Sequence, residues 1–255
     1  MNRDNALGLP VADWRDQFQR KIRGVARIEE RDFDHLNGIT PVRRSLRHHE
    51  SIEAMPNTMA VVVSGWCFRY RVLLDGRRVV FNFWLPGDLI NLTPMSPGLA
   101  HDVAAWGPAE LALVGNADYR RLCDASPALV HAFATSERLD ALLLANQVMR
   151  LGRLTAYERM AHFILEHWER AKLVGLSNDH ECPLPMTQDV MADALGLTNF
   201  HVSRTLTRMR ADALIDTERH SIHIKDAERL IALCDYDSIQ SVIDQEKKSQ
   251  DFTGR

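Results

Sequence analysis

The sequence predicts an α+β chain with an all-β first half, a long central helix and a small winged helix-turn-helix domain at the end. Three observations carry this. Short apolar runs broken by Gly, Pro and Asp-Gly fill residues 59–114. A stretch free of Gly and Pro follows Pro127 as far as Arg150. The string TQDVMADALGLTNFHVSRTLTRM spans Thr187–Met209.

Met1 to Arg31 is polar, with a helix expected around Trp14 to Ile28 as an accessory to the β-rich segment. Strands are then expected at Met59–Val63, ended by Ser64-Gly65, and at Trp66–Leu74, ended by Asp75-Gly76, a favoured hairpin pair. Arg77–Leu85 returns and stops at Pro86-Gly87-Asp88. His101–Trp106 and Glu110–Val114 read as two more strands around Gly107-Pro108. Even spacing with Gly/Pro turns predicts a sandwich or small barrel. Its aromatics (Trp66, Phe68, Tyr70, Phe81, Phe83 and Trp84) are mostly core candidates.

After Asn116 the pattern turns helical. Ala117–Cys123 is one short helix, and Pro127 opens a long one, as proline does in a first turn. Leu139, Leu142, Asn146 and Met149 recur at three-four-three spacing. That spacing fits a dimer seam, with Asn146 facing its symmetry mate. It covers barely two heptads and fits a helix packed on its own barrel equally well. Gly152 marks a break, and Thr155-Ala156-Tyr157-Glu158 is a capping box restarting a helix to about Val174.

In the Thr187–Met209 string, Ala192 is small enough for a close helix crossing, and Gly196, four residues later, suits a tight left-handed turn. Met191, Leu195, Leu197, Val202 and Leu206 supply an inner face, and Thr198 is an N-cap candidate. Asn199, Phe200, His201, Ser203, Arg204, Thr207 and Arg208 stay outside, on a helix fit to enter a major groove. Leu214-Ile215, a polar turn and Ile222-His223-Ile224 make two strands of a wing, whose tip carries Arg219 and His220 toward a phosphate backbone.

Composition narrows the classes further. The chain has 255 residues, 45% hydrophobic and 25% charged, enough for two domains. No apolar run approaches the ~18 residues of a membrane span, and MNRDNALGLP lacks the marks of a secretory signal. Cys67, Cys123, Cys182 and Cys234 form no CxxC pair, so reduced thiols in a cytoplasmic protein are expected, with no metal or other cofactor. The net charge is −3, and His180–Cys234 carries eight acids against six bases. Yet Thr198–Arg210 holds three arginines and no acid, and the local field matters most at a groove.

In VVVSGWCFRYRVLLDGRRVVFNFWLPGDLINL and LGLTNFHVSRTLTRMRADALI the chain resembles the Crp–Fnr superfamily of bacterial transcription regulators, over about Asp32 to Cys234. The resemblance implies a cyclic-nucleotide-binding-like jelly-roll barrel as sensor, a homodimer, and double-stranded DNA with an inverted-repeat site. RNA polymerase is an implied further partner, and a small effector of unknown identity is open. The expected divisions are an N-terminal extension at 1–31, the barrel at 32–126, the dimerisation helix at 127–151, the winged helix at 152–235 and a solvated or disordered polar tail at 236–255.

By that resemblance Arg204 donates to a guanine edge and Ser203 matches a base-contacting serine. Thr187, Gln188, Thr198, His201 and Thr207 match phosphate-contacting positions. Asn199 and Phe200 depart from the family's usual pair, whose Glu accepts from cytosine, so the half-site should differ. Thr205, where the family has Ile or Leu, should lend its methyl to the core. In the barrel Gly87-Asp88-Leu89 keeps the turn that cradles the nucleotide, with His101 and Asp102 as the remaining effector-pocket candidates. The phosphate-binding Arg-Ser pair is missing, so no cyclic AMP binding is expected. No cysteine cluster precedes Cys67, against an iron–sulfur sensor, whereas His35, His48, His49 and His101 leave haem open.

Two other classes stand beside the regulator. One is a cupin-like metal enzyme fused to a DNA-binding domain. Arg47-His48-His49-Glu50 is its best support, but adjacent histidines on a strand face opposite ways, and no HxH, HExxH, GxSxG or P-loop string occurs. The other is an interaction protein that keeps the fold without binding DNA. A regulator, not an enzyme, is the expected reading.

Overall fold

The computed structural model describes residues 13–93, 102–178 and 180–253, with only the backbone at 251–253. His101 and residues 1–12 therefore lie outside the described residues. The chain divides into two compact units, Met1–Arg71 with Asn82–Arg138 and Gln245–Arg255, and Val72–Phe81 with Leu139–Asp244.

The first unit opens with α1 (Trp14–Val25), whose N-cap Asp13 accepts from the Arg15 amide. Trp14, Phe18, Ile22 and Val25 repeat at helical spacing and are all buried, with the Phe18 ring centroid 6.0 Å from that of Phe133 and the rings tilted. So α1 is part of this unit's core, more than the accessory expected. Next come α2 (Glu30–Phe33), a 3-10 turn (Asp34–Gly38) and the strands β1 (Val42–Leu46), β2 (Ser51–Ile52), β3 (Thr58–Val72), β4 (Arg78–Trp84), β5 (Leu89–Asn91) and β6 (Asp102–Gly115). The path runs β1-β6-β3-β4, with β2 on β6 and β5 on β3. Val62, Cys67, Trp84, Ile90 and Leu111 sit in its core.

Two boundaries read from the sequence are corrected. The strands expected at 59–63 and 66–74 are not separate, nor, among the described residues from Asp102 on, are those expected at 101–106 and 110–114. Each pair is joined into one long strand, β3 and β6. Gly65 and Gly107 do not end their strands; they take φ +74° and +75°. The β3–β6 register shifts between Val62 and Ser64 and again between Ser64 and Trp66, so the glycine signal marks a bulge. A Cβ on Gly65 would lie 2.3 Å from the Pro108 carbonyl oxygen, so the partner strand leaves room only for glycine.

α3 (Asn116–Ala125) and α4 (Pro127–Arg153) follow. Gly152 does not break α4, which continues through it. In the second unit, α5 (Ala156–Leu173) starts at the capping box read from sequence: Thr155 accepts from the Glu158 amide, and Glu158 from the Thr155 amide at 2.7 Å. Then come β7 (Glu181–Pro183), α6 (Gln188–Leu195), α7 (Asn199–Ala211), β8 (Ile215–Thr217), β9 (Ser221–Ile224), α8 (Ala227–Cys234) and α9 (Ile239–Thr253). Residues 72–81 belong to this unit, in which Arg78 pairs with Asp193 at 2.7 Å and Gln147 donates to the Val80 and Ala194 carbonyls.

The polar tail expected at 236–255 is also corrected. Tyr236, Ile239 and Ile243 are buried, and α9 runs to Thr253. Glu169 holds its start, accepting from the Tyr236 and Ser238 hydroxyls and the Ile239 amide. Residues 245–253 belong to the first unit, where Glu246 pairs with Arg138 and Gln250 bonds both backbone groups of Arg27. A few apolar residues at helical spacing suffice once a docking surface exists, and composition does not register them.

Candidate nucleic-acid interface

Helices α6 and α7 meet at Gly196, whose φ of +61° gives the left-handed C-cap that glycine takes without strain. Leu197 donates to the Ala192 carbonyl at 3.0 Å, closing the turn. Met191, Ala192, Leu195, Val202 and Leu206 are buried, and Leu197 is half-buried. Thr205 is buried too, on the same inner face. Thr198 caps α7, accepting from the His201 amide and lying 3.0 Å from the His201 ring nitrogen. The inner face therefore fixes which residues of α7 point out.

Outward are Asn199, Phe200, His201, Ser203, Arg204, Thr207 and Arg208, and Thr187 and Gln188 are exposed at the start of α6. Phe200, Ser203, Arg204 and Thr207 share one stripe, spaced three or four apart. No hydrogen bond or ion pair among the described residues engages Arg204 or Arg219.

Other members of the set are held within the protein. The Asn199 amide donates to the Asp189 carboxylate. Arg208 lies 4.4 Å from the Tyr157 ring centroid and 3.6 Å from Asp212, whose carboxylate also accepts from the Tyr157 hydroxyl. Burial, then that acceptor, pushes the Tyr157 phenol up to about 12, so it stays a donor. Arg210 donates to Thr207 and Thr217, tying α7 to the wing. Asp189 and Tyr157 carry no local signal in the sequence, because their partners come from other elements. The wing itself is β8 and β9, joined by β7 as a third strand in the order β7-β9-β8. Arg219 and His220 are exposed at its tip.

The dimer-seam candidates divide differently from expectation. Leu139 is 7% exposed and Leu142 half-buried, and Asn146 donates to Glu166 at 3.3 Å. Of the four only Met149 lies on the open apolar face of α4, with Ala141, Leu144, Ala145, Val148 and Gly152. Within one chain, Leu139 and Asn146 of this pattern therefore have partners of their own, while Met149 does not share them; an intramolecular face follows the same periodicity as an intermolecular one.

In the barrel, Gly87 takes φ +93° and donates to the Val62 carbonyl at 2.8 Å. Asp88, an effector-pocket candidate by sequence, is instead buried. One oxygen meets the Lys21 ammonium at 2.5 Å and the other accepts from the Leu85 amide. Lys21 comes from α1, a partner no local motif announces. Leu89 is half-buried and Asp102 exposed across from Tyr70. His48 and His49 lie on a turn, not a strand, with rings 4.0 Å apart, and His48 Nδ1 accepts from the Gly107 amide. No cluster of three or more His, Cys, Asp or Glu able to hold a metal occurs among the described residues.

A helix-turn-helix with a wing and a bare arginine on its outer face defines a DNA-binding regulator of the winged-helix class. Residues 158–233 match the Crp-like helix-turn-helix domain. Over 189 residues the chain is 30% identical to the transcriptional activatory protein AadR of Rhodopseudomonas palustris, covering 72% of this chain and 76% of that one. It belongs to the Crp/Fnr family of transcription regulators, which bind DNA and act as dimers and are not enzymes. It is also 34% identical over 169 residues to the nitrogen fixation regulation protein FixK of Rhizobium meliloti, covering 65% and 72% of the two chains. The solved structure of FixK2 from Bradyrhizobium japonicum superposes with a TM-score of 0.67 at 26% identity, covering 78% of this chain and all of that one. No helix among the described residues is long and apolar enough to cross a membrane.

Proposed function

We propose that the chain is a homodimeric, sequence-specific regulator that reads an inverted repeat with Arg204 and Ser203 of α7. The observation that carries this is Arg204, exposed and, among the described residues, unpaired on the outer stripe of a helix with no acid between Thr198 and Arg210. Such a guanidinium suits the O6 and N7 acceptors of guanine. Arg219, His220, Thr187 and Gln188 then meet phosphates, which fix register. Arg208 is a weaker base reader, since Tyr157 and Asp212 hold it aside. The two-fold axis passes along the open face of α4, at Ala141, Leu144, Ala145, Val148 and Met149.

Lys21 occupies the carboxylate of Asp88, which supports a barrel that takes no ribose there and no cyclic AMP. The signal is of another kind. Work in the cytoplasm with RNA polymerase as further partner fits relatives named as transcriptional activators. Enrichment of random duplexes by the full chain tests the reading. A palindromic consensus with a guanine lost in Arg204→Ala is expected, and retention of duplexes without any consensus overturns it.

A further inference from the structure

Phe200 is 70% exposed, an aromatic ring standing in solvent on the outer stripe of α7. Among the described residues its ring meets only the neighbouring His201, with centroids 6.0 Å apart. It sits one turn before Arg204, beside Ser203, on the face offered to the groove. Three polar side chains around it are engaged within the protein: Asn199 on Asp189, His201 on Thr198, and Thr207 on Arg210. A phenyl ring has no donor or acceptor, so it reads no hydrogen-bonding edge. In the major groove the apolar group on offer is the C5-methyl of a pyrimidine, in thymine by default.

We infer that Phe200 is a specificity-determining residue that selects a pyrimidine 5-methyl group, that of thymine, in each half-site beside the base read by Arg204. The inference rests on the proposed placement of the α7 stripe in the groove. Phe200 gains in two ways there: its exposed ring leaves water, and the neighbouring backbone is not asked to shift, because the ring already points out. A cytosine or purine in that place would leave a polar edge facing a phenyl ring without compensation, which disfavours it.

The test uses the consensus duplex selected by the full-length protein. Each thymine is replaced in turn by deoxyuridine, which removes only the methyl. In wild type one thymine per half-site should show about a fourfold loss, as expected for one buried methyl group. Phe200→Ala should bind that duplex more weakly and lose its discrimination between thymine and uracil, while Phe200→Leu keeps part of it. If the selected base is instead cytosine and 5-methylcytosine binds tighter than cytosine through Phe200, the methyl reading stands with methylated DNA as its source. If Arg204→Ala blurs a guanine but no methyl effect depends on Phe200, this inference fails and the groove placement survives. If neither variant alters preference, the groove placement itself fails.

Discussion

Arg150 of α4 and Glu166 of α5 form an ion pair of 2.7 Å whose side chains are 2% and 5% exposed. Burial alone raises the Glu166 carboxyl, but the Arg150 guanidinium, with Arg170, outweighs it and holds the carboxyl below its ordinary range. Glu166→Ala would strand Arg150 in the interior and is expected to cost about 3–5 kcal/mol. Replacing both by apolar residues should cost much less. Urea denaturation of the single and double variants measures the difference.

The same interior contains two neutral histidines. Burial, then Arg150, depresses the His162 imidazole to about 4, against Glu166 and Asp237, and its ring packs on Tyr236. Burial, then Arg170, depresses His167 to about 3, and it donates to the Phe163 carbonyl. Below about pH 6.5 the unfolded chain takes protons that the folded chain refuses. Stability is therefore complete above that pH and falls as pH drops from about 6.5 toward 4, on the order of 1 kcal/mol per pH unit for each histidine. Denaturation midpoints at about pH 7, 6 and 5 should show the slope, and His162→Gln should flatten part of it.

The α4 surface separates two classes of variant. Val148 is 67% exposed, whereas Leu139 is buried. Val148→Asp is expected to yield a folded monomer, and Leu139→Asp an unstable protein. Sedimentation with circular dichroism distinguishes them. A dimer persisting in Val148→Asp would move the two-fold axis elsewhere.

Arg204→Ala should lose about 1–3 kcal/mol of specific binding and relax one base position. Arg208→Ala, whose guanidinium is held by Tyr157 and Asp212, should lose less and keep base preference. Mobility shifts on a panel of single-base operator variants compare the two.

Lys21→Met would leave Asp88 buried against an uncharged side chain, although the Leu85 amide still donates to it. A loss of about 3–5 kcal/mol is expected, with partial recovery in Lys21→Met/Asp88→Asn, read by chemical denaturation. A variant as stable as wild type would show that α1 does not anchor this turn.

Features settled within a few residues of one another were legible from the chain alone. The helix-turn-helix follows from Ala192, Gly196 and five apolar residues at helical spacing. The capping box at Thr155 and Glu158 and the strands around Arg219 are local in the same sense. Tertiary structure decided everything that depends on distant partners. Gly65 and Gly107 look like strand ends until the strands pair and make them bulges. Asp88 looks available to a ligand until Lys21 arrives from α1. Leu139 and Asn146 look like a seam until the chain's own core claims that side of α4. A period of three and four tells that a face is buried, and only the folded chain tells against what.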